Sequence, residues 1–189
     1  MSKEKIESMK TGRIKQIPYG ITDYERIRTS NYYFVDKTRF IPALEKSGSY
    51  LFFIRPRRFG KSLFISIMEA YYDVYYKDRF DELFQGTFIH KNSTAEKNAY
   101  LVLKFDFSQV NPKPGKVEDS FLEYVRGQVE YFLEKYREYL GKKADVLLKR
   151  LYDIDSASDI LSALSRLCRD SHAKTYILID EYDNFANTI

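Results

Sequence analysis

Gly60, Lys61 and Ser62 come shortly after the apolar run Leu51-Phe52-Phe53-Ile54, and Asp180 and Glu181 directly follow a second apolar run, Tyr176-Ile177-Leu178-Ile179. The first set has the chemistry of a polyphosphate site. Several negative charges are best held by backbone N–H groups at a helix N-terminus together with a point-charge ammonium. Gly60 lets the backbone approach the phosphate oxygens and Lys61 reaches the β- and γ-phosphates. The Ser62 hydroxyl is offered to Mg²⁺, an ion that keeps most of its waters and takes few protein ligands. From the second run Asp180 holds the metal, usually through water, and Glu181 polarises an attacking water as general base. Two adjacent acids thus have different work, and the two motifs in this order read as an ATP-type nucleotide site.

The loop departs from the pattern G-x-x-x-x-G-K-[ST] at its first position, which is Arg55. Glycine there permits an unusual backbone conformation, so Arg55 either adopts an ordinary one or is strained by about 1–3 kcal/mol. Pro56 favours the ordinary one, because proline biases its predecessor toward extended geometry.

The run Arg55-Pro56-Arg57-Arg58-Phe59-Gly60-Lys61-Ser62, with Val35-Asp36-Lys37-Thr38 upstream and Asp180-Glu181-Tyr182-Asp183 downstream, resembles the bacterial predicted AAA-ATPase-like family. Members commonly carry this phosphate loop, so the missing first glycine belongs to the group. The resemblance extends from about Ile17 to Asp183. It implies a relation to archaeal-type and STAND-like P-loop ATPases, with ATP and Mg²⁺ as cofactors. The residues it implies are Arg57, Arg58, Phe59, Gly60, Lys61, Ser62 and Leu63 at the nucleotide, Ser62 and Asp180 at the metal, and Glu181 with Lys61 in catalysis. Related ATPases cradle the base with the segment entering the first helix, which makes Val35, Asp36 and Lys37 candidates; Asp36 is equally suited to a helix cap. Arg57 and Arg58 are open between phosphate contact, bracing of Glu181 and solvent, and Asp183 between the metal shell and a turn. Many members end in a domain resembling PD-(D/E)XK nucleases. No such domain is expected within these 189 residues; through it the resemblance implies nucleic acid as a partner, and a homo-oligomer is a separate expectation.

The resemblance also raises a difficulty. Where a catalytic glutamate follows the magnesium aspartate, a later strand sits between the phosphate-loop strand and the acidic strand. No such strand follows Asp180 before Ile189. An unfilled gap leaves backbone groups unpaired at about 1–3 kcal/mol each if buried, against a typical total stability of ~5–15 kcal/mol. Either the chain is part of a longer protein, a substitute strand such as one from another copy fills the gap, or the sheet is rearranged. The later strand would also carry the residue that senses the γ-phosphate, so hydrolysis by this chain alone is not expected. The expected fold is α/β, a P-loop NTPase-type, mostly parallel sheet flanked by helices and truncated before its last core strands. Residues 1–17 form a polar N-terminal segment and 18–189 the incomplete ATPase-like domain. A non-hydrolysing module that binds protein or nucleic acid is the competing reading.

Composition agrees with one sizeable domain. With 189 residues, 44% hydrophobic and 31% charged, such a chain can bury roughly 70% of its unfolded surface. The 17 Tyr and 14 Phe build core and interface more often than cofactor boxes. A net charge of +4 is too mild to diagnose nucleic acid. A lone cysteine, Cys168, excludes an intrachain disulfide and a multi-cysteine zinc site. No apolar run approaches the ~20 residues needed to span a bilayer, and the N-terminus has no apolar h-region, so a cytoplasmic location is expected.

The elements that must position the site follow from periodicity. Strands are predicted at Tyr50 to Ile54, Tyr100 to Phe107 and Thr175 to Ile179. Helices are predicted near Thr38 to Ser47, from Lys61 to about Tyr76, along Phe121 to Leu140, around Ala144 to Leu151, and through Ile160 to Leu167 behind a capping-box-like Ser156 and Asp159. Phe64, Met68, Tyr71, Tyr72 and Tyr75 form the packed stripe of the second helix. Asp106, at a strand end, reads as solvated and outside the site. Strands separated by helices place ligands at the carboxyl ends of a parallel sheet.

Overall fold

A computed structural model describes residues 15–54, 56, 58–113 and 115–183. In chain order it contains α1 (Tyr24–Thr29), a 3-10 turn (Thr38–Phe40), α2 (Ile41–Glu45), α3 (Lys61–Tyr72), a 3-10 stretch (Val74–Arg79), α4 (Phe80–Phe84) and α5 (Phe88–Lys91). The order continues with β1 (Leu101–Asp106), α6 (Val117–Lys135), α7 (Arg137–Leu140), α8 (Lys142–Arg150), α9 (Ala157–Asp170) and β2 (Thr175–Asp180). Short 3-10 turns follow β1 and α8.

β1 and β2 pair in parallel from Leu101 opposite Thr175 to Asp106 opposite Asp180, with the helices α6 to α9 as the crossover. Strand alternation divides the core between the two faces of this small sheet. Leu101, Leu103 and Phe105 pack against α6 and α9, while Val102 and Leu178 face α3. α3 is the central helix: eight of its 12 residues are buried, more than one amphipathic stripe supplies. The α1 and α4 layer covers its far side. There Tyr24 N–H donates to Ser66 Oγ at 2.9 Å and Tyr24 Oη–H to the Leu83 carbonyl at 2.9 Å. On the sheet side, Tyr72 stacks on Tyr176 with ring centroids 4.5 Å apart.

Several predicted bounds are corrected by local hydrogen bonding. α3 ends at Tyr72 rather than near Tyr76, because Asp73 turns extended (φ −72°, ψ 126°) and accepts the Tyr75 N–H at 2.9 Å. Tyr75 therefore leaves the buried stripe and is 59% exposed, whereas Phe64, Met68, Tyr71 and Tyr72 are buried. The single helix expected over Thr38 to Ser47 is a 3-10 turn followed by the five residues of α2. The long helix expected to reach Leu140 breaks at Tyr136 (φ −109°, ψ 23°). That break lets the Tyr136 hydroxyl reach β1, where it accepts the Val102 N–H at 3.0 Å and donates to the buried Asp73 Oδ2 at 2.7 Å. Lys135 Nζ pairs with the same oxygen at 2.7 Å. β1, α9 and β2 lie close to their predicted spans, and the Ser156 hydroxyl accepts the Asp159 N–H as expected.

The strand predicted over Tyr50 to Ile54 does not form: among the described residues the sheet has only β1 and β2. Tyr50, Phe52 and Ile54 are 95%, 82% and 81% exposed. Only Phe53 turns inward, stacked on Phe64 with centroids 5.3 Å apart. A strand needs a neighbour for its backbone, and nothing described pairs with the outer edge of β2, where that neighbour is expected. Among the described residues, no helix is long and apolar enough to cross a membrane.

Candidate functional site

The two distant motifs meet at the carboxyl end of the sheet. Gly60, with φ +77°, is the N-cap of α3, so Lys61 and Ser62 are the first residues of a helix whose N–H groups are open toward the loop. Across from them β2 ends at Asp180. Lys61 Nζ lies 3.2 Å from Asp180 Oδ1 and 3.6 Å from Glu181 Oε1, and 5.6 Å from the centroid of the Tyr182 ring. Partial burial pulls the Lys61 ammonium down. The hydrogen bond to Asp180 and the charges of Asp180, Glu181 and Asp183 more than offset this, so its pKa lies above the ordinary lysine value.

Backbone strain concentrates here. Among the described residues, the non-glycine residues with positive φ elsewhere are Asn31, Asn98 and His172, types that tolerate the left-handed region. Arg58 (φ 68°) and Glu181 (φ 50°) are not such types, and they flank Lys61 from the loop and from the strand tip. The left-handed conformation costs about 1–2 kcal/mol for an ordinary residue. At Glu181 it is held in part by the 2.9 Å hydrogen bond from its own N–H to Asp180 Oδ1.

Ser62, Asp180 and Glu181 line one polar cleft of about 600 Å³. Asp106, Ser108 and the Lys104–Glu69 ion pair (2.7 Å) line it as well. Asp106 stands in register with Asp180, so the aspartate set aside as solvated lies at the cleft. The carboxyl-end rule applied to both strands would have found it. Its Oδ1 accepts from Ser108 N–H and Oγ–H at 3.0 and 2.7 Å, which caps the following turn.

The remaining predicted residues fall into separate groups. Phe59 is 62% exposed beside the loop, and Leu63 is half-buried against the α3 core. Arg58 is exposed; Arg57, like Arg55, lies outside the described residues. Both Asp36 carboxylate oxygens are engaged by backbone N–H groups, Oδ1 by Thr38 at 2.8 Å and Oδ2 by Phe88 at 2.7 Å. Asp36 thus ties the segment after Val35 to α5. Lys37 is at the loop itself: a Cβ placed on Gly60 would lie 3.6 Å from Lys37 Nζ.

The donor set suits Mg²⁺. It consists of a hydroxyl and carboxylates, all hard oxygen ligands. No group of three or more His, Cys, Asp or Glu among the described residues forms a ready-made cage.

A family model described as Predicted AAA-ATPase matches residues 18–189. A protein of Azotobacter chroococcum mcd 1, described as "Uncharacterized protein in vnfD 5'region", is 28% identical over 174 residues, covering 89% of this chain and 29% of that protein. The chain therefore spans less than a third of that relative's length. No solved structure matches it. With Lys61 at the start of α3 in ion-pair contact with Asp180 at the tip of β2, and with a family-model match over residues 18–189, this chain belongs to the predicted AAA-ATPase family.

Proposed function

We propose that this chain is the nucleotide-binding part of a Mg²⁺-dependent P-loop ATPase, in which nucleotide state drives a conformational change or an assembly. The observation that carries the reading is the contact of Lys61 with Asp180 and Glu181 at the N-terminus of α3. In the proposed binding step, Lys61 exchanges these carboxylates for the β- and γ-phosphate oxygens. Backbone N–H groups from Arg58 to Leu63 cradle the phosphates. Ser62 and Asp180 would hold Mg²⁺, which would supply positive charge beside the phosphates. Released from Lys61, Glu181 is free to accept a proton from an attacking water.

Hydrolysis in this reading belongs to a longer context. No described residue pairs with the outer edge of β2, and on its α6/α9 face Ile177 and Ile179 are 55% and 44% exposed. We propose that a further strand pairs there and draws Leu51 to Ile54 into the sheet, bringing the group that senses the γ-phosphate. A cytoplasmic location follows from dependence on the cellular nucleotide pool.

The test is Mg-ATP calorimetry on the 189-residue chain beside Lys61→Ala, with phosphate release followed on the same samples. Binding is expected in the wild type and not in the variant. At a hundredfold excess over Kd, it should raise stability by about 2.7 kcal/mol. Turnover is expected only with the longer protein. No binding to a demonstrably folded sample would overturn the ATPase reading.

A further inference from the structure

The chain reverses at the tip of β2. Glu181 takes φ 50°, a conformation that an ordinary residue keeps only when contacts around it compensate. The reversal brings two groups back to Lys61: the Glu181 carboxylate, 3.6 Å from Nζ, and the Tyr182 ring, whose centroid is 5.6 Å from Nζ, within reach of a cation–π attraction. The same ring meets Phe52 edge-on, with centroids 6.0 Å apart and planes at 85°. Tyr182 therefore touches both Lys61 and the unpaired run Leu51 to Ile54. Phe52 is 82% and Tyr182 42% exposed, so neither ring is fixed by a core packed around it. What holds the tip in place is the charge of Lys61, together with the hydrogen bond from Glu181 N–H to Asp180 Oδ1.

We infer that Tyr182 is a latch that couples occupancy of Lys61 to the position of Leu51 to Ile54. The inference rests on the nucleotide-site reading above and names the part that moves. In the empty site Asp180 and Glu181 supply the negative charge that Lys61 needs, the tip folds back, and Tyr182 holds Phe52. Phosphate oxygens on Lys61 replace that attraction, so the strained turn at Glu181 loses its compensation and Tyr182 releases Phe52. Leu51 to Ile54 is then free to enter the sheet beside the strand proposed at the outer edge of β2. Because phosphate and latch compete for one ammonium, each weakens the other by the same factor. Tyr182 touches no phosphate here; it is a positioning residue that acts through Lys61 and Phe52.

The chain contains no tryptophan, so Phe52→Trp makes a sole fluorescent reporter at the latch. The test is its emission, alone and combined with Tyr182→Ala or Tyr182→Phe, during titration with Mg-ATP, Mg-ADP and adenosine. Calorimetry of the same ligands on wild type, Tyr182→Ala and Tyr182→Phe, with melting of each protein, runs beside it. Mg-ATP and Mg-ADP should shift the emission to the red as the ring beside the reporter leaves, and adenosine should not. Combined with Tyr182→Ala, the emission should be shifted before any ligand is added and stay there. Tyr182→Ala should bind Mg-ATP about two- to fivefold more tightly, the size of one lost cation–π contact. Tyr182→Phe keeps the ring and should behave as wild type. Mg-ATP binding with no change in emission, or with an equal change in the Tyr182→Ala combination, would overturn the latch and leave the nucleotide reading standing. So would weaker binding by Tyr182→Ala. A folded wild type that binds no nucleotide would overturn both readings.

Discussion

The two edges of the sheet are finished differently. On the β1 side, Val102 and Asp106 point their N–H groups away from β2 and donate to the hydroxyls of Tyr136 and Tyr124, at 3.0 and 2.6 Å, the first from the residue that ends α6 and the second from within it. Side chains there replace a third strand, and the edge is closed. On the β2 side no described residue pairs with the outer edge, the apolar Ile177 and Ile179 stand partly in solvent, and Leu51 to Ile54 runs unpaired. Two apolar runs of nearly the same character thus end differently, and what separates them is the availability of a backbone partner. An exposed apolar edge is a pairing site that proteins ordinarily cover. The candidate-site residues at the tip of β2 are therefore carried by a paired strand, while the stretch leading toward Gly60 has Phe53 stacked on Phe64.

The comparison breaks most severely at the closed edge. Asp73→Ala leaves Lys135, only 9% exposed, without its carboxylate, and should cost about 3–5 kcal/mol in urea unfolding. A loss under 1 kcal/mol would mean that this network does not anchor the edge. Next, Leu178→Ala in the paired run should cost about 2–5 kcal/mol, and Ile54→Ala in the unpaired run less than about 0.5 kcal/mol. Equal costs would show that Leu51 to Ile54 is packed in solution and would erase the contrast. Tyr136→Phe removes the acceptor of the Val102 N–H and should cost about 1–3 kcal/mol. Hydrogen exchange at that amide should accelerate while the exposed amides near Ile54 stay unchanged. The smallest effect is a rate. Cys168 lies in an apolar groove of about 430 Å³ beside the open edge. Burial pushes its thiol up, against a hydrogen bond with Thr175 that pulls it down. The thiolate is the reacting form. At pH 8 maleimide labelling should be slower in the folded chain than in urea, and stability should decline as pH rises past about 9. Equal labelling rates would mean the groove is open to solvent down to Cys168.

Much of the candidate site was legible before any fold was known. Gly60, Lys61, Ser62, Asp180 and Glu181 stand out by residue type and short spacing, and the structure brings Lys61 beside Asp180 and Glu181; β1, α9 and β2 lie close to their predicted spans. Asp106 was set aside because strand-end acids are mostly solvated; its register with Asp180, at the carboxyl end shared by both strands, brings it to the cleft. Tyr75 was misplaced because the end of α3 depends on Asp73, whose burial depends in turn on Lys135 and Tyr136 far along the chain.

Local sequence by itself determined the Gly60-Lys61-Ser62 run, the acid pair Asp180-Glu181, the order of strands and helices and the capped start of α9, since each rests on residues close in the chain; the parallel pairing of β1 with β2 joins residues far apart in it. The tertiary structure alone decided that Lys37 faces Gly60, that Asp36 is spent on two backbone amides, that tyrosines close one edge of the sheet, and that Leu51 to Ile54 is no strand. The physical reason is common to all four. Each depends on whether a partner distant in sequence arrives to satisfy a charge or a backbone hydrogen bond, and periodicity carries no record of that partner.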